Sequence, residues 1–320
     1  MNTILPAKAK EKQKYLYTLT GFVLAVGLFF IMTNVYFVQE KNVPVQAGID
    51  FQRIISPPIP ENLDFAGERV PKESFDIFER IEREFIVNTY WYSYTMLAIK
   101  RATRWFPVIE PILKKNNIPD DFKYVAVIES GLYNSVSPAG ATGFWQIMED
   151  IGKKYQLEIN AEVDERYNVE KSTEAACSYI KDAYGLFKNW TLAAASYNMG
   201  LNGVQKQMER QKADNYYNLI LNEETSRYMA RVIAMKEILK NPEKYGYFIG
   251  EKEKYIPLKS NIVEISGSIE NLADFAVKKG INYKILKIYN PWLRDIELTN
   301  KEHRTYSIKI PAKGTIEPIK

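Results

Sequence analysis

One glutamate occupies a position from which it could transfer a proton. Phe122, Val125, Ala126 and Glu129 are spaced at i, i+3, i+4 and i+7, which predicts that they share the apolar face of one helix. Gly131 follows and predicts the end of that helix. A carboxyl group on a buried face is unfavourable as an anion, so its pKa should rise and it can stay protonated near neutral pH. Glu129 is therefore a candidate general acid, for example toward a glycosidic oxygen.

A loop rich in small residues follows this helix and could complete a binding site. It reads Ser137-Pro138-Ala139-Gly140-Ala141-Thr142-Gly143, and then Phe144-Trp145-Gln146-Ile147-Met148. Proline and glycine shape a tight loop that lets a ligand approach the backbone. Ser137 and Gln146 could supply hydrogen bonds, and Trp145 could present a flat apolar wall of the kind on which sugar faces stack. The alternative is a buried glutamate paired with a lysine and followed by an ordinary loop.

Two later clusters could belong to the same cleft. The first reads Ala193-Ala194-Ala195-Ser196-Tyr197-Asn198-Met199-Gly200. Its alanines permit close helix contact, and Tyr197 and Asn198 place polar groups at the helix end. The second reads Glu224-Thr225-Ser226-Arg227-Tyr228 and opens a long helix. Taken alone, the first cluster is a buried helix with a glycine cap and the second is simple capping.

The scarce residues and the charge exclude several classes of site. The 320 residues include one histidine, His303, and one cysteine, Cys177, so a zinc cluster of His and Cys ligands and an intramolecular disulfide are impossible. A Ser-His-Asp relay would have to use His303, which lies in a turn-like, charged run. Residues 1–38 contribute +3 of the net charge of +4. The remaining charge is near neutral and gives no indication of a nucleic-acid surface.

The elements that must position these residues are mostly helices. Apolar residues recur at spacings of three and four after Phe75, after Trp105 and after Tyr228, and no segment from 73 to 245 alternates convincingly as a strand. We therefore predict an almost entirely helical body. Residues 42–72 contain five prolines and read as a tether or a wrapping arm. After about residue 252 the pattern predicts a small β-α-α-β module with strands at 262–266 and 305–310, for which binding is the natural role.

An uncharged segment of 24 residues precedes these elements, from Tyr15 to Val38. A helix of that length spans a hydrocarbon core of about 30 Å, and the lysines before it place the N-terminus in the cytoplasm. A cleaved signal peptide is the alternative, but small residues at alternating positions do not follow the apolar core. We predict a retained single-pass anchor, with the rest of the protein on the far side of the membrane from the cytoplasm.

Four segments, in order, resemble the motifs of soluble-lytic-transglycosylase-type domains (glycoside hydrolase family 23). They are Glu129-Ser130, residues 137–146, residues 196–200 and residues 224–228. Trp145 and the Pro119-Asp120 approach to the helix look most like the branch of membrane-bound lytic murein transglycosylase D. The C-terminal module resembles a diverged LysM domain, a peptidoglycan-binding unit, although Gly267-Ser268-Ile269-Glu270 stands where Gly-Asp-Thr-Leu is usual.

The resemblance implies a lysozyme-like helical fold and cleavage of the β-1,4 bond between N-acetylmuramic acid (MurNAc) and N-acetylglucosamine (GlcNAc). Family members use one glutamate and no metal, so no cofactor is expected. By this resemblance Glu129 protonates the leaving oxygen and then takes the proton from the muramic C6 hydroxyl, which attacks C1 and forms a 1,6-anhydro product. The positions that match substrate-binding residues are Ser130, Ser137, Gly143, Trp145, Gln146, Tyr197, Asn198 and Tyr228.

The resulting organisation has four parts, and two other functions remain open. The parts are a cytoplasmic tip and anchor at 1–41, an arm with leading helices at 42–104, a catalytic domain at 105–250 and a LysM-like module at 251–320. A hydrolytic lysozyme on the same fold would need a second carboxylate, for which Glu149, Asp150 and Asp164 are candidates. A non-catalytic scaffold would use the cleft only to hold peptidoglycan strands.

Overall fold

A computed structural model describes residues 54–315 of the protein. The segment predicted as an anchor, residues 15–38, lies outside this range. Within residues 54–315, none of the helices combines the length and the apolar character needed to cross a bilayer.

The proline-rich segment from residue 56 onward packs against the helical body as an arm. It contains a short antiparallel hairpin of β1 (Asp64–Phe65) and β2 (Glu68–Arg69). Phe65 is fully buried, and its ring meets the edge of Phe122 with the ring centroids 5.0 Å apart. Glu68 accepts hydrogen bonds from the backbone N–H groups of Trp190 and Thr191 at 2.6 and 2.8 Å. Of the two interpretations, tether or wrapping arm, these residues form the second.

The body is built from helices, as the apolar periodicity predicts. They are α1 (Phe75–Tyr90), α2 (Tyr92–Lys115), α3 (Lys123–Ser130), α4 (Glu149–Lys154), α5 (Val169–Phe187), α6 (Trp190–Met199), α7 (Leu201–Gln211) and α8 (Glu223–Lys240). Helix α8 packs against α1, α3 and α6 and is the centre of the arrangement. Ala193, Ala194 and Ala195 of α6 are fully buried, as their small size predicts for close helix contact.

One hydrophobic core serves the arm, the leading helices and the predicted catalytic domain together. It extends from Leu63 to Tyr247 and includes Ile81 and Phe85 of α1. Helix α2 runs without interruption across the boundary predicted between residues 104 and 105. The leading helices are therefore part of the same packed body as the residues that follow them.

The tail forms the predicted β-α-α-β module with its own core. It consists of β3 (Ser260–Ile265), α9 (Leu272–Lys278), α10 (Tyr283–Tyr289) and β4 (Tyr306–Pro311). The strands pair antiparallel, with Ser260 opposite Pro311 and Ile265 opposite Tyr306. Val163 of the helical body inserts into this second core and forms a β-bridge with Leu293.

Candidate active site

Helix α3 positions Glu129 at its last turn. Asp120–Phe122 form a 3₁₀ turn that leads into α3, and the apolar side chains before Glu129 are buried. Gly131 ends the helix with φ +62°, a left-handed conformation that glycine adopts without strain. A Cβ atom at Gly131 would lie 3.2 Å from the Tyr94 ring, so this close approach also favours glycine.

Tyr228 supplies the direct partner of Glu129. Its hydroxyl donates a hydrogen bond of 2.5 Å to Glu129 Oε1, across 99 residues of sequence. The Tyr228 side chain is only 2% exposed within α8, which holds the phenol in place. Glu129 is half-buried, so its carboxyl group combines contact with the core and access to a ligand.

The surroundings of Glu129 move its pKa toward neutral pH. Burial raises the pKa of Glu129 to about 7, and the negative charge of Glu224 acts in the same direction. The hydrogen bond from Tyr228 and the positive charge of Arg231 act in the opposite direction and lower this pKa. A carboxyl group with a pKa near the working pH can both donate and accept a proton. Burial also raises the pKa of Tyr228, so its phenol stays protonated and remains a donor.

Ser130 and Ser137 connect parts of the loop to each other. The Ser130 hydroxyl lies 2.8 Å from the Phe144 carbonyl oxygen, which joins the end of α3 to the loop. The Ser137 hydroxyl accepts a bond of 3.0 Å from the Ala141 N–H. Both hydroxyls therefore fix the shape of the segment beside Glu129.

Gly143 is required by a close approach of two backbone segments. Its φ is +83°, and a Cβ atom there would lie 2.1 Å from the carbonyl oxygen of Arg166. The Arg166 side chain donates to the Gly140 carbonyl at 3.2 Å, and two bonds of 2.7 and 2.9 Å hold it to Asp164. Arg166 thus supports the loop, a role that the sequence pattern did not indicate because its contact with Gly140 spans 26 residues.

The prediction that Trp145 offers a stacking surface is wrong. Its side chain is fully buried, and the indole N–H donates to the Thr173 hydroxyl at 2.9 Å. Because no face of the ring reaches solvent, a sugar cannot stack on it. The backbone of Trp145 remains part of the site, since its carbonyl accepts a bond of 2.8 Å from the Tyr197 hydroxyl.

Gln146, Tyr197 and Asn198 line one cavity of about 500 Å³. Gln146 has φ +47°, and its side-chain amide donates to the Gly143 carbonyl at 2.8 Å. Burial raises the pKa of Tyr197, and the negative charge of Glu129 acts in the same direction, although Glu129 itself is not among the residues that line this cavity. Asn198 bridges to the first turn of α8, because its amide donates to Glu224 and accepts from Thr225. The three predicted cleft residues are thus brought together.

A buried ion pair next to Tyr228 escaped the sequence reasoning. Arg227 donates to Glu84 Oε1 at 2.8 Å, and Arg83 contacts the same oxygen at 2.5 Å. Glu84 is 1% exposed in α1, so the pair fixes the start of α8 against α1. Partners 143 residues apart leave no local signal in a sequence.

Two family models match this chain. Residues 106–220 match the transglycosylase SLT domain, and residues 261–314 match the soluble lytic transglycosylase C-terminal LysM-like domain. Membrane-bound lytic murein transglycosylase D of Escherichia coli K12 is 30% identical over 204 residues, which cover 62% of this chain and 44% of that protein. The protein of the same name from E. coli O6:H1 gives the same values.

A third relative is more distant. A putative tributyltin chloride resistance protein of Alteromonas sp. is 28% identical over 120 residues, or 37% of this chain and 58% of that protein. The chain spans less than half the length of the two transglycosylases that it matches. The match to the SLT model includes Glu129 and the loop, and the match to the LysM-like model extends from β3 to β4. The chain therefore carries a transglycosylase SLT domain followed by a C-terminal LysM-like domain.

Proposed function

We propose that the protein is a peptidoglycan lytic transglycosylase that cleaves the MurNAc-β-1,4-GlcNAc bond and leaves 1,6-anhydro-MurNAc ends during cell-wall remodelling. The observation that carries this proposal is the Glu129 carboxyl group, hydrogen-bonded to the buried Tyr228 and with a pKa of about 7, inside an SLT domain. One carboxyl group of this kind can serve as acid and then as base.

The reaction needs two proton transfers at the same carboxyl group. Glu129 first gives its proton to the glycosidic oxygen, so the bond from muramic C1 to that oxygen breaks and GlcNAc leaves with a free hydroxyl. The Glu129 carboxylate then takes the proton of the muramic C6 hydroxyl while O6 bonds to C1. The enzyme returns to its starting state and no water is consumed. The donor hydroxyl of Tyr228 stabilises the carboxylate between the two transfers.

Hydrolysis on the same fold is the second candidate, and the geometry favours it less. It would require a second carboxylate to activate water. Asp164 is 7% exposed and bound to Arg166 at 2.7 Å, and Glu149 is paired with Lys153 at 2.5 Å. Asp150 lies beside Glu149 in the exposed first turn of α4. Two of the three candidates are thus engaged by cations.

The sequence and the relatives support a location at the inner membrane. The uncharged segment at residues 15–38 and the lysines before it support a single-pass anchor in the inner membrane. Two relatives carry the description membrane-bound. We propose that the SLT domain faces the periplasm, where peptidoglycan strands are its partner and substrate, and that the LysM-like domain assists in binding them.

Mass spectrometry of the sugars released from purified peptidoglycan tests the reaction. The wild-type chain should release muropeptides about 18 Da lighter than hydrolysis products, because the C6 hydroxyl replaces water. Glu129→Gln should release none, and Glu209→Gln, at an exposed carboxylate on α7, should act as wild type. Products of full mass would make the protein a hydrolase. Binding of peptidoglycan with no release by the wild-type chain would make it a scaffold.

A further inference from the structure

An exposed tryptophan lies at the corner where α1 ends and α2 begins. All five tryptophans of the chain fall within residues 54–315, and Trp91, at 52%, is the only exposed one. Its indole ring stacks on the Tyr94 ring, with the ring centroids 4.5 Å apart and the ring planes 18° apart. Because Tyr94 covers one face of the indole, the exposed area of the ring lies on the opposite face and the edges. We call these two rings the aromatic stack.

The aromatic stack is attached to the end of α3, next to Glu129. The Tyr94 hydroxyl donates to the Val127 carbonyl at 2.8 Å. The edge of the same ring lies 3.2 Å from the position that a Cβ atom on Gly131 would take. Burial raises the pKa of Tyr94, and the negative charge of Glu129 acts in the same direction. The stack is therefore held in place beside the carboxyl group of the candidate active site.

The aromatic stack is a different surface from the cavity that the loop after α3 helps to form. Neither ring lines that cavity, and both rings precede residues 106–220, which match the SLT domain. The end of α3 joins the two surfaces, since Tyr94 bonds to Val127 and the Ser130 hydroxyl bonds to the loop at Phe144. A polymeric ligand bound at Glu129 can therefore extend from one surface to the other.

The composition around the aromatic stack indicates an uncharged ligand. No Asp, Glu, Lys or Arg occurs from residue 85 to residue 99. Tyr92 and Met96, one turn apart on α2, are each 42% exposed and add aromatic and apolar surface to this corner. Surfaces that bind membranes usually combine aromatic residues with lysine and arginine, which this segment lacks. A sugar ring, by contrast, has an apolar face that packs on an indole while its hydroxyl groups remain in water.

We propose that the aromatic stack is the sugar-stacking surface of the protein, and that one saccharide ring of a strand packs on Trp91 while the bond to be cleaved lies at Glu129. Trp91 thus takes the role that the sequence led us to expect of Trp145, whose buried ring no sugar can reach. The inference rests on the proposed function, which supplies the peptidoglycan strand as the ligand. Since Trp91 contacts a sugar that does not react, its loss should raise KM and leave kcat unchanged.

Tryptophan fluorescence of the full chain tests this proposal. All proteins carry Glu129→Gln to prevent turnover, and the ligand is the peptide-free octasaccharide (MurNAc-GlcNAc)₄. A sugar that stacks on the exposed indole removes it from water, so the emission should move to shorter wavelength as the octasaccharide binds. Trp91→Phe should abolish this shift but keep the affinity within about threefold, because an aromatic ring remains. Trp91→Ala should abolish the shift and weaken binding, measured by isothermal titration calorimetry, about tenfold.

Phe75→Ala is the matched control. Phe75 is also an exposed aromatic residue, at 78%, but it lies in the first turn of α1, at the opposite end of that helix from Trp91. This variant should keep both the affinity and the emission shift. Because half of the Trp91 side chain is already exposed, Trp91→Ala should also leave the melting temperature unchanged.

Other results would overturn the proposal. An emission shift that persists in Trp91→Phe would assign the sugar to another tryptophan. A loss of affinity in Trp91→Ala that comes with a fall in melting temperature would make the ring structural. If Trp91→Ala binds the octasaccharide as tightly as the parent protein, no sugar packs on the ring. Loss of binding to phosphatidylglycerol vesicles in that case would make the corner a membrane contact instead.

Turnover by proteins that retain Glu129 separates this inference from the proposed function. In Trp91→Ala, KM for purified peptidoglycan strands should rise about tenfold with kcat unchanged. Normal release of anhydro products by the wild type, together with unchanged octasaccharide binding by Trp91→Ala, would remove the stacking surface and leave the proposed function. Release of full-mass products by the wild type, together with weakened binding by Trp91→Ala, would do the reverse.

Discussion

Helix α8 carries two buried polar side chains, Lys236 and Tyr228, about two turns apart. They differ in whether a buried charge beside them is compensated. Lys236, 2% exposed, donates to Asp121 at 2.7 Å and to the Asp64 carboxylate at 3.0 Å, so its charge is compensated. Tyr228, also 2% exposed, meets Glu129 with an uncharged hydroxyl. The ion pairs raise the pKa of Lys236, which favours its charged form, while burial raises the pKa of Glu129, which favours its neutral form. A compensated buried charge is strongly destabilising when its partner is removed, whereas a buried carboxyl group with a raised pKa can exchange protons.

The largest effect should come from removing the group that exchanges protons. Glu129→Gln keeps the size of the side chain and an acceptor for Tyr228 but cannot donate or take a proton. Loss of general acid and base catalysis typically lowers the reaction rate by about 10²-fold to 10⁴-fold. We therefore expect kcat for release of sugars from purified peptidoglycan to fall about 10³-fold. The exposed Glu209→Gln is the matched control. A variant that retains a tenth of the activity would assign the chemistry to another residue.

The next largest effect should come from removing the charge of Lys236, which Asp121 and Asp64 compensate. Lys236→Met leaves the Asp121 side chain, which is 15% exposed, without its cation, and breaking an ion pair with a buried partner costs about 3 kcal/mol in the free energy of unfolding. Urea unfolding measures this loss. Activity per folded molecule should remain, because Lys236 has no contact with Glu129.

A double variant separates the charge from the packing at this site. Adding Asp121→Asn to Lys236→Met removes the orphaned negative charge and should recover part of the lost stability. If the double variant instead loses as much stability as the two single variants added together, the site contributes through packing of the Lys236 side chain and not through its charge.

The sequence indicates Glu129 because all of the relevant signals are local. The spacing from Phe122 to Glu129 defines a helical face, and Gly131 marks its end, so both the burial and the raised pKa follow from short-range rules. The order of strands and helices in the tail was predictable for the same reason. Each element has its own period and its own turn residues.

The partners of these residues could not be predicted, because they are distant in the chain. The Tyr228 hydroxyl is 99 residues from Glu129, and Lys236 is 115 residues from Asp121. Nothing in the spacing of either pair indicates contact. Trp145 illustrates the same limit. An aromatic residue in a glycine-bearing loop is expected to be exposed, but the indole N–H of Trp145 donates to Thr173 of α5 and the ring is buried.

A smaller effect should appear in the pH dependence of stability. Burial raises the pKa of Glu129 from 4.5 to about 7, so the folded protein holds a proton that the unfolded chain releases between these values. The wild type should therefore lose stability as pH rises from 4.5 to 7, by about 2 kcal/mol after allowance for solvent near a half-buried group. Glu129→Gln has no such proton. Urea unfolding of both proteins at pH 4.5 and pH 8 should show the difference between them growing with pH, and a constant difference would contradict the raised pKa.

The smallest effect should come from removing the hydroxyl of Tyr228, the uncharged partner of Glu129. Tyr228→Phe removes the donor that stabilises the Glu129 carboxylate and lowers its pKa, so this pKa should rise above its wild-type value. We expect kcat to fall about tenfold, since a hydrogen bond to a charged group is worth roughly 1.5 kcal/mol. The limb of the pH–rate profile that reports the protonated acid should move to higher pH.

Tyr216→Phe is the matched control for this last change. Tyr216 is also buried and also bonds to α8, but its hydroxyl donates to the backbone carbonyls of Thr225 and Ser226 and does not contact Glu129. Its loss should lower the melting temperature and leave the pH–rate profile in place. If Tyr228→Phe behaves in the same way, Tyr228 only supports the helix. A pH–rate limb that shifts in Tyr228→Phe but not in Tyr216→Phe would show that α8 sets the pKa of Glu129 through Tyr228, whereas its contact with Tyr216 only stabilises the fold.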